Sequence, residues 1–129
     1  MNDIKLMNKA ADNIRILAAS MVEKAKSGHP GGAMGGADFV NVLFSEFLVY
    51  DPKNPAWEGR DRYFQDPGHM SPMLYSVLAL AGKFTIDELK EFRQWGSVTP
   101  GHPEVNVMRG IENLSLIHIS EPTRLDVIS

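Results

Sequence analysis

Three of the four histidines in this sequence share one unusual setting. A glycine directly precedes His29, His69 and His102, and a proline lies within two positions of each. Glycine makes up 11 of the 129 residues, so chance would place one before a given histidine about one time in twelve. Stiff loops of small residues that carry neutral imidazoles suit proton transfer and hydrogen bonding to hydroxyls and phosphate oxygens. The pattern therefore predicts that these three loops form one face of a cofactor-and-substrate site.

Two simpler interpretations of the same histidines stay open. A single histidine in a loop is most often an ordinary surface residue. A zinc site is less favoured, because the sequence has no cysteine, no pair of histidines at helical spacing and no nearby acidic cluster to complete a ligand set. A small metal protein with histidine ligands nevertheless stays open as an alternative function. We assign no function to His118.

Composition narrows the class of protein. The 129 residues fit one small domain, with 43% hydrophobic residues, 22% charged residues and a formal net charge of −3. This charge gives no reason to expect nucleic acid or an anionic membrane as a partner. No apolar run approaches the roughly 20 residues of a membrane helix, and the polar N-terminus does not resemble a signal peptide. We therefore expect a cytoplasmic protein.

The first histidine is expected just beyond the end of a long helix. Apolar residues recur at helical spacing over residues 4–26, and Gly28 is a typical residue for the end of a helix. The glycines at positions 31, 32, 35 and 36 then predict a loop that something approaches closely, although a flexible surface loop would have the same composition. A second helix is predicted over residues 34–49.

The remaining elements frame the other two histidines. The aromatic pair in residues 60–65 suggests one short strand. Ser71 is predicted to cap a helix that ends at Gly82, and Thr85 begins a capping-box pattern whose helix ends at Gly96. In that last helix we expect a buried face and a solvated polar face. The buried face comprises Leu89, Phe92 and Trp95, and the polar face comprises Glu88, Lys90, Glu91 and Arg93.

Three motifs in this order resemble the N-terminal end of the transketolase family. The most specific is Lys-Ser-Gly-His-Pro-Gly at residues 26–31. The second is Gly-His followed by Ser71 and Leu-Tyr at 74–75, and the third is Thr-Pro-Gly-His-Pro-Glu at residues 99–104. The resemblance extends from about residue 10 to residue 113. It implies an α/β parent domain of the thiamine diphosphate-binding fold, with a parallel sheet flanked by helices, of which this chain would supply a mostly helical part.

The resemblance also implies a cofactor, a reaction and the residues involved. In the family, thiamine diphosphate and Mg²⁺ or Ca²⁺ serve the transfer of a two-carbon ketol unit between sugar phosphates in a homodimer. His29 and His102 would be catalytic and would bind the substrate, whereas His69, Gly31 and Gly68 would bind the cofactor. The cation ligands of the family are not found in this sequence. Two features depart from the family pattern: Met70 replaces a glycine, and Asp-Pro at 66–67 replaces a serine-rich segment.

The last residues lead to an expectation about domain organisation. Residues 1–113 are interpreted as part of a transketolase-like domain, and residues 114–129 resemble a translated sequencing adapter and are expected to be a non-native tail. The chain alone is then expected to be inactive, with apolar faces at Phe44, Phe47, Leu78 and Phe92 that would cover a sheet it does not encode. The alternative is a non-enzymatic helical binding module or a subunit of a split transketolase.

Overall fold

The computed structural model describes residues 3–66 and 68–112. Its longest helix is α1, Ile4–Ala25. Four shorter helices follow in the described ranges: α2 Pro30–Gly35, α3 Ala37–Val42, α4 Ser71–Leu80 and α5 Ile86–Lys90. A π-helical turn, Leu43–Phe47, continues α3, and two 3₁₀ turns comprise Gly68–Met70 and Val107–Arg109. The predicted boundary after residue 113 and the predicted tail lie outside the described residues.

Helix α1 has the ends that the sequence predicts to within one residue. The Asp3 carboxylate accepts a hydrogen bond from the backbone N–H of Lys5 at 3.0 Å, which satisfies one free donor of the first turn. At the other end Lys26 adopts a left-handed φ of 53° and stops the helix. His29 therefore lies just beyond α1, as expected. None of the described helices combines the length and apolarity needed to span a lipid bilayer.

The core forms where α1 crosses α4. Helix α1 packs against α4, α2 and α3, and every residue of α4 from Ser71 to Leu78 is buried. The Tyr75 ring lies 5.4 Å from the Phe84 ring and 6.2 Å from the Phe92 ring, measured between centroids. This packing fixes the position of the N-terminal end of α4, which is where the second histidine motif leads into the helix.

The prediction of a glycine-rich loop after His29 is wrong. Residues 30–35 form helix α2, with Pro30 at its start, because proline at the first helical position is preset for helical φ. The backbone is closely approached there: a Cβ at Gly32 would lie 3.0 Å from the Met70 side chain, which would have to shift to make room. The expected close approach exists, but in the described residues it is made by another part of the same chain. The helix predicted over 34–49 is correspondingly interrupted at Gly36.

The short strand predicted over residues 60–65 is also absent from the described structure. Residues 61–65 have no regular secondary structure. Asp61 instead exchanges two hydrogen bonds with Val49, one from its backbone N–H at 2.7 Å and one to its carboxylate at 2.8 Å. The described residues contain no neighbouring strand with which this segment could form a ladder, so its start is held by one backbone bond and one side-chain bond to Val49.

Trp95 is not buried, contrary to the prediction. Helix α5 ends at Lys90, and Arg93 takes a left-handed φ of 63°, so the helical spacing that would align Trp95 with Leu89 is lost. Leu89 and Phe92 are buried, whereas Trp95 is fully exposed.

The apolar faces expected to cover a sheet divide into two groups. Phe44, Leu78 and Phe92 are buried in the core of this chain, whereas Phe47 is 70% exposed. Other large apolar side chains are exposed with it, including those of Ile4, Leu6, Ile16, Phe39, Val49 and Phe64. Scattered exposure is ordinary, but a set of this size leaves extensive apolar surface in contact with water.

We predict that the isolated 129-residue chain self-associates and unfolds without a sharp transition. The exposed apolar side chains favour association, and the buried core of the described residues is small. Differential scanning calorimetry and sedimentation velocity check this prediction. A monomer with one sharp, two-state transition would contradict it.

Candidate cofactor and substrate site

The first two histidine motifs meet in the structure. The rings of His29 and His69 pack edge to face, with 5.0 Å between centroids and 70° between planes. His29 is the residue before α2 and has an extended backbone, and His69 lies in the 3₁₀ turn Gly68–Met70 that leads directly into α4. His29 is exposed and His69 is half-buried. Two imidazoles separated by 40 positions in sequence therefore share one surface.

The third histidine motif is tied to the same end of α4. The Ser71 hydroxyl donates a hydrogen bond to the carbonyl oxygen of Gly101 at 2.6 Å, and the Tyr75 hydroxyl donates one to the carbonyl oxygen of Pro100, also at 2.6 Å. These two carbonyls belong to the residues directly before His102, whose side chain is exposed. Burial, and then the negative charge of Glu104, raise the pKa of Tyr75. The phenol therefore stays protonated and able to donate.

Ser71 thus has a different function from the predicted one. Met70 occupies the position before α4 and makes no side-chain capping bond, so Ser71 does not cap the helix. Its buried hydroxyl instead reaches 30 positions along the chain to Gly101. Since Ser71 is only two residues after His69, the second and third histidine loops are joined through it.

Helix α5 holds the other end of the third loop. The predicted capping box is confirmed: the Thr85 hydroxyl accepts from the Glu88 N–H, and the Glu88 carboxylate accepts from the Thr85 N–H. The Thr99 hydroxyl donates to the Glu88 carbonyl oxygen at 3.1 Å. The Glu88 carboxylate also forms a 2.7 Å ion pair with Arg109. Arg109 first, and then the Thr85 N–H, hold the pKa of Glu88 below its ordinary value of 4.5.

The two glycines predicted to bind a cofactor flank the histidine pair. Gly31 is exposed in the first turn of α2, and a Cβ built on it would meet no atom of the described residues within 4 Å. Gly68 is half-buried and directly precedes His69. Met70, the departure from the family pattern, lies with its side chain against Gly32. The space at the Cβ position of Gly31 is therefore open, whereas the space over Gly32 is filled by the Met70 side chain.

Sequence reasoning missed Arg93. The sequence predicts that it lies on a solvated helical face, yet its guanidinium donates from Nη1 to the Ser27 hydroxyl at 2.9 Å, and its backbone N–H donates to the Thr99 carbonyl oxygen at 3.1 Å. Arg93 therefore bridges the first and third histidine motifs. Helical periodicity could not reveal this, because the residue lies beyond the end of α5 in a left-handed conformation.

The described side chains suit anionic and hydroxylic ligands. An imidazole N–H donates to phosphate oxygens, and an imidazole can donate to or accept from a hydroxyl according to its protonation state. Within residues 3–66 and 68–112, no three histidine, cysteine, aspartate or glutamate side chains are grouped so that they could hold a metal ion. The loops that carry His29, His69 and His102 form a surface of hydrogen-bonding groups, which we call the wall.

Comparison with known proteins identifies the family to which the chain belongs. The family model described as "Transketolase, thiamine diphosphate binding domain" matches residues 6–115. The chain belongs to the transketolase family. Transketolase of Buchnera aphidicola subsp. Baizongia pistaciae is 52% identical over 108 residues, which are 83% of this chain and 16% of that protein. Transketolase 1 of Escherichia coli K12 is 50% identical over 103 residues, 79% of this chain and 16% of that protein.

A solved transketolase has the same fold in this region. The crystal structure of transketolase from Campylobacter jejuni matches with a TM-score of 0.82 and 45% identity, over 88% of this chain and 18% of that one. This confirms the predicted family fold, and the mostly helical character predicted for this chain holds in the described residues. The chain spans about a sixth of the length of the transketolases that it matches.

These relatives provide a way to test single residues in a complete enzyme. We define the chimera as E. coli transketolase 1 in which residues 3–112 of this chain replace the segment aligned with them. At 50% identity, we expect the exchange to preserve most of the buried contacts.

We predict that Glu88→Gln in the chimera loosens helix α5 in a pH-dependent way. Glutamine can keep the capping box but loses the charge paired with Arg109. Because the folded-state pKa of Glu88 lies below its unfolded value, the stabilisation is present above about 4.5 and is lost as the pH falls through the folded-state pKa. At pH 7 amide hydrogen exchange in residues 85–92 should be about two- to fivefold faster than in the unsubstituted chimera. Equal differences at pH 7 and pH 3 would contradict this assignment.

Proposed function

We propose that this chain forms one wall of a thiamine diphosphate site in an enzyme that transfers a two-carbon ketol unit from a ketose phosphate to an aldose phosphate. The observation that carries the proposal is the convergence of the three Gly-His motifs on the N-terminal end of α4. His29 and His69 are in ring contact, and the backbone before His102 is bonded to Ser71 and Tyr75. Membership of the transketolase family supplies the reaction class.

The described residues fit the diphosphate and the sugar by their donor chemistry. His69 and the backbone of Gly68 and Gly31 would hold diphosphate oxygens, since the space beside Gly31 is open and an imidazole N–H donates hydrogen bonds to phosphate oxygens. His29 and His102 would hydrogen-bond to donor-sugar hydroxyls and move protons at those oxygens. When bound, thiamine diphosphate supplies the carbanion chemistry that no side chain of this protein can perform.

The proposed site also needs parts that the described residues do not provide. These residues offer no cluster for Mg²⁺ or Ca²⁺, so we assign no cation ligand within them and derive no step through the cation. In the proposed enzyme the wall lies at a homodimer interface in the cytoplasm, and the remaining walls come from outside this chain. The isolated chain is therefore inactive in this proposal.

The chimera tests the proposed function directly. We expect apo chimera to bind thiamine diphosphate in the presence of Mg²⁺, measured by isothermal titration calorimetry, and to transfer ketol units between sugar phosphates. The isolated 129-residue chain should show no turnover under the same conditions. A folded, dimeric chimera that neither binds the cofactor nor turns over would refute the proposal, and turnover by the isolated chain would refute the claim that other walls are needed.

A further inference from the structure

Arg93 lies between the two glycines that precede His29 and His102. A Cβ built on Gly101 would lie 2.9 Å from Arg93 Nε and 3.1 Å from Cζ, and one built on Gly28 would lie 3.7 Å from Nε. The 2.9 Å distance at Gly101 is shorter than a real Cβ contact, so the guanidinium occupies space that a side chain at position 101 would need, whereas 3.7 Å at Gly28 is an ordinary van der Waals contact. The guanidinium of Arg93 therefore lies between the first and third histidine loops.

Arg93 is held by contacts of both its side chain and its backbone. Nη1 donates to the Ser27 hydroxyl at 2.9 Å, and the backbone N–H donates to the Thr99 carbonyl oxygen at 3.1 Å. The guanidinium carbon lies 5.7 Å from the centroid of the buried Phe92 ring, within the range of a cation–π contact. The side chain thus joins the first motif while its own backbone joins the third.

Arg93 has two energetically unfavourable features. Its φ of 63° is left-handed, a region that residues other than glycine rarely adopt. Its Nε is buried and has no hydrogen-bond partner in the described part of the chain, although buried polar atoms are normally satisfied. Such costs persist where the surrounding structure overrides them, and they cluster at functional sites.

We propose that Arg93 is a positioning residue that sets the distance and relative orientation of His29 and His102. It is bonded to Ser27 in the first motif and to Thr99 in the third and lies beside Gly28 and Gly101, and the inference assumes the proposed function of His29 and His102 in ketol transfer. Arginine suits this position better than lysine, because a planar guanidinium can lie between two glycines while donating to Ser27, whereas an ammonium offers a point charge. The absence of a side chain at Gly101 then provides the room that the guanidinium occupies.

A double-mutant cycle in the chimera separates positioning from general structural support. Arg93→Met should lower kcat/KM for ketol transfer about ten- to a hundredfold, the range expected when a reacting group is displaced by about 1 Å. In a His102→Ala background the same substitution should cost less than about threefold, because residues that act through one another are not additive. Arg93→Lys, which can keep the bond to Ser27, should fall between wild type and Arg93→Met. Arg62→Met is the control, since Arg62 is exposed and its side chain donates to main-chain carbonyls of its own segment; it should leave kcat/KM unchanged.

Crystal structures of the chimera and its Arg93→Met variant give a readout that does not depend on activity. We expect the Gly101 backbone to move by about 1 Å relative to Ser27 in the variant. The positioning function would be overturned if the loops of the two structures superimposed. It would also be overturned if Arg93→Met lowered kcat/KM equally in the unsubstituted chimera and in the His102→Ala chimera. If the unsubstituted chimera folds but is inactive, the proposed function fails, and the movement of the two loops still decides whether Arg93 sets their spacing.

Discussion

Replacing His102 with alanine in the chimera is expected to lower kcat/KM for ketol transfer by about 10²- to 10⁴-fold, the range over which a positioned general acid or base contributes. The substitution removes an exposed imidazole from a loop whose backbone is held at Pro100 and Gly101 by buried donors, so the loop itself should stay in place. The loss should therefore appear in turnover and in sugar binding while the affinity for thiamine diphosphate changes little. Steady-state kinetics and calorimetric titration of the cofactor measure the two effects separately.

Two comparisons make this result interpretable. His29→Ala should produce a loss of similar size, because we assign both imidazoles to the same substrate hydroxyls. Lys53→Ala, which alters an exposed side chain in the segment after the π-helical turn, should leave kcat/KM within about twofold of the unsubstituted chimera. An unchanged kcat/KM in both histidine variants would contradict the assignment of His29 and His102 as catalytic residues.

Tyr75→Ala is expected to destabilise the region around α4 by about 3–5 kcal/mol, the cost typical of removing a large buried ring. Tyr75 is fully buried, packs against Phe84 and Phe92, and donates to the Pro100 carbonyl oxygen. Tyr75→Phe keeps the ring and loses only the hydrogen bond, which leaves a carbonyl unsatisfied at a cost of about 1–3 kcal/mol. The alanine variant should loosen the whole core, whereas the phenylalanine variant should loosen mainly the loop that carries His102.

Local hydrogen exchange distinguishes these outcomes. In Tyr75→Phe chimera, exchange should accelerate in residues 99–104 and change little in α1, while in Tyr75→Ala it should accelerate in both. Tyr50→Phe is the matched control, because Tyr50 is a half-buried tyrosine that packs on Phe44 away from the third loop. Equal exchange in residues 99–104 of the Tyr75→Phe chimera and the unsubstituted chimera would show that the hydrogen bond does not hold the loop.

The sequence predicts those structural features that depend on residues close together along the chain. Helix α1 follows from its apolar periodicity and its ends, and the Thr85–Glu88 capping box is a four-residue pattern that the structure reproduces. The Gly-His motifs could be recognised together because each is a short string. Their order along the chain matches the transketolase family, which the comparisons confirm.

The features that the sequence does not predict depend on partners far along the chain. Gly32 reads as a loop residue until the side chain of Met70 is placed against it. Ser71 reads as a helix cap, but its hydroxyl is used by Gly101. Arg93 reads as a surface residue because a helical pattern continues past Lys90, although the helix does not. In each case the residue contacts a partner at least 30 positions away, which the local sequence does not indicate.

A crystal structure of the chimera with thiamine diphosphate, Mg²⁺ and a ketose phosphate donor bound tests the central claim most directly. We expect the imidazole of His69 to lie within hydrogen-bonding distance of the diphosphate, about 2.6–3.2 Å or through one water molecule, and those of His29 and His102 to lie equally near the hydroxyls of the sugar. The three rings would then line a single cavity. Rings that face separate regions of solvent, with the cofactor bound elsewhere, would contradict the account.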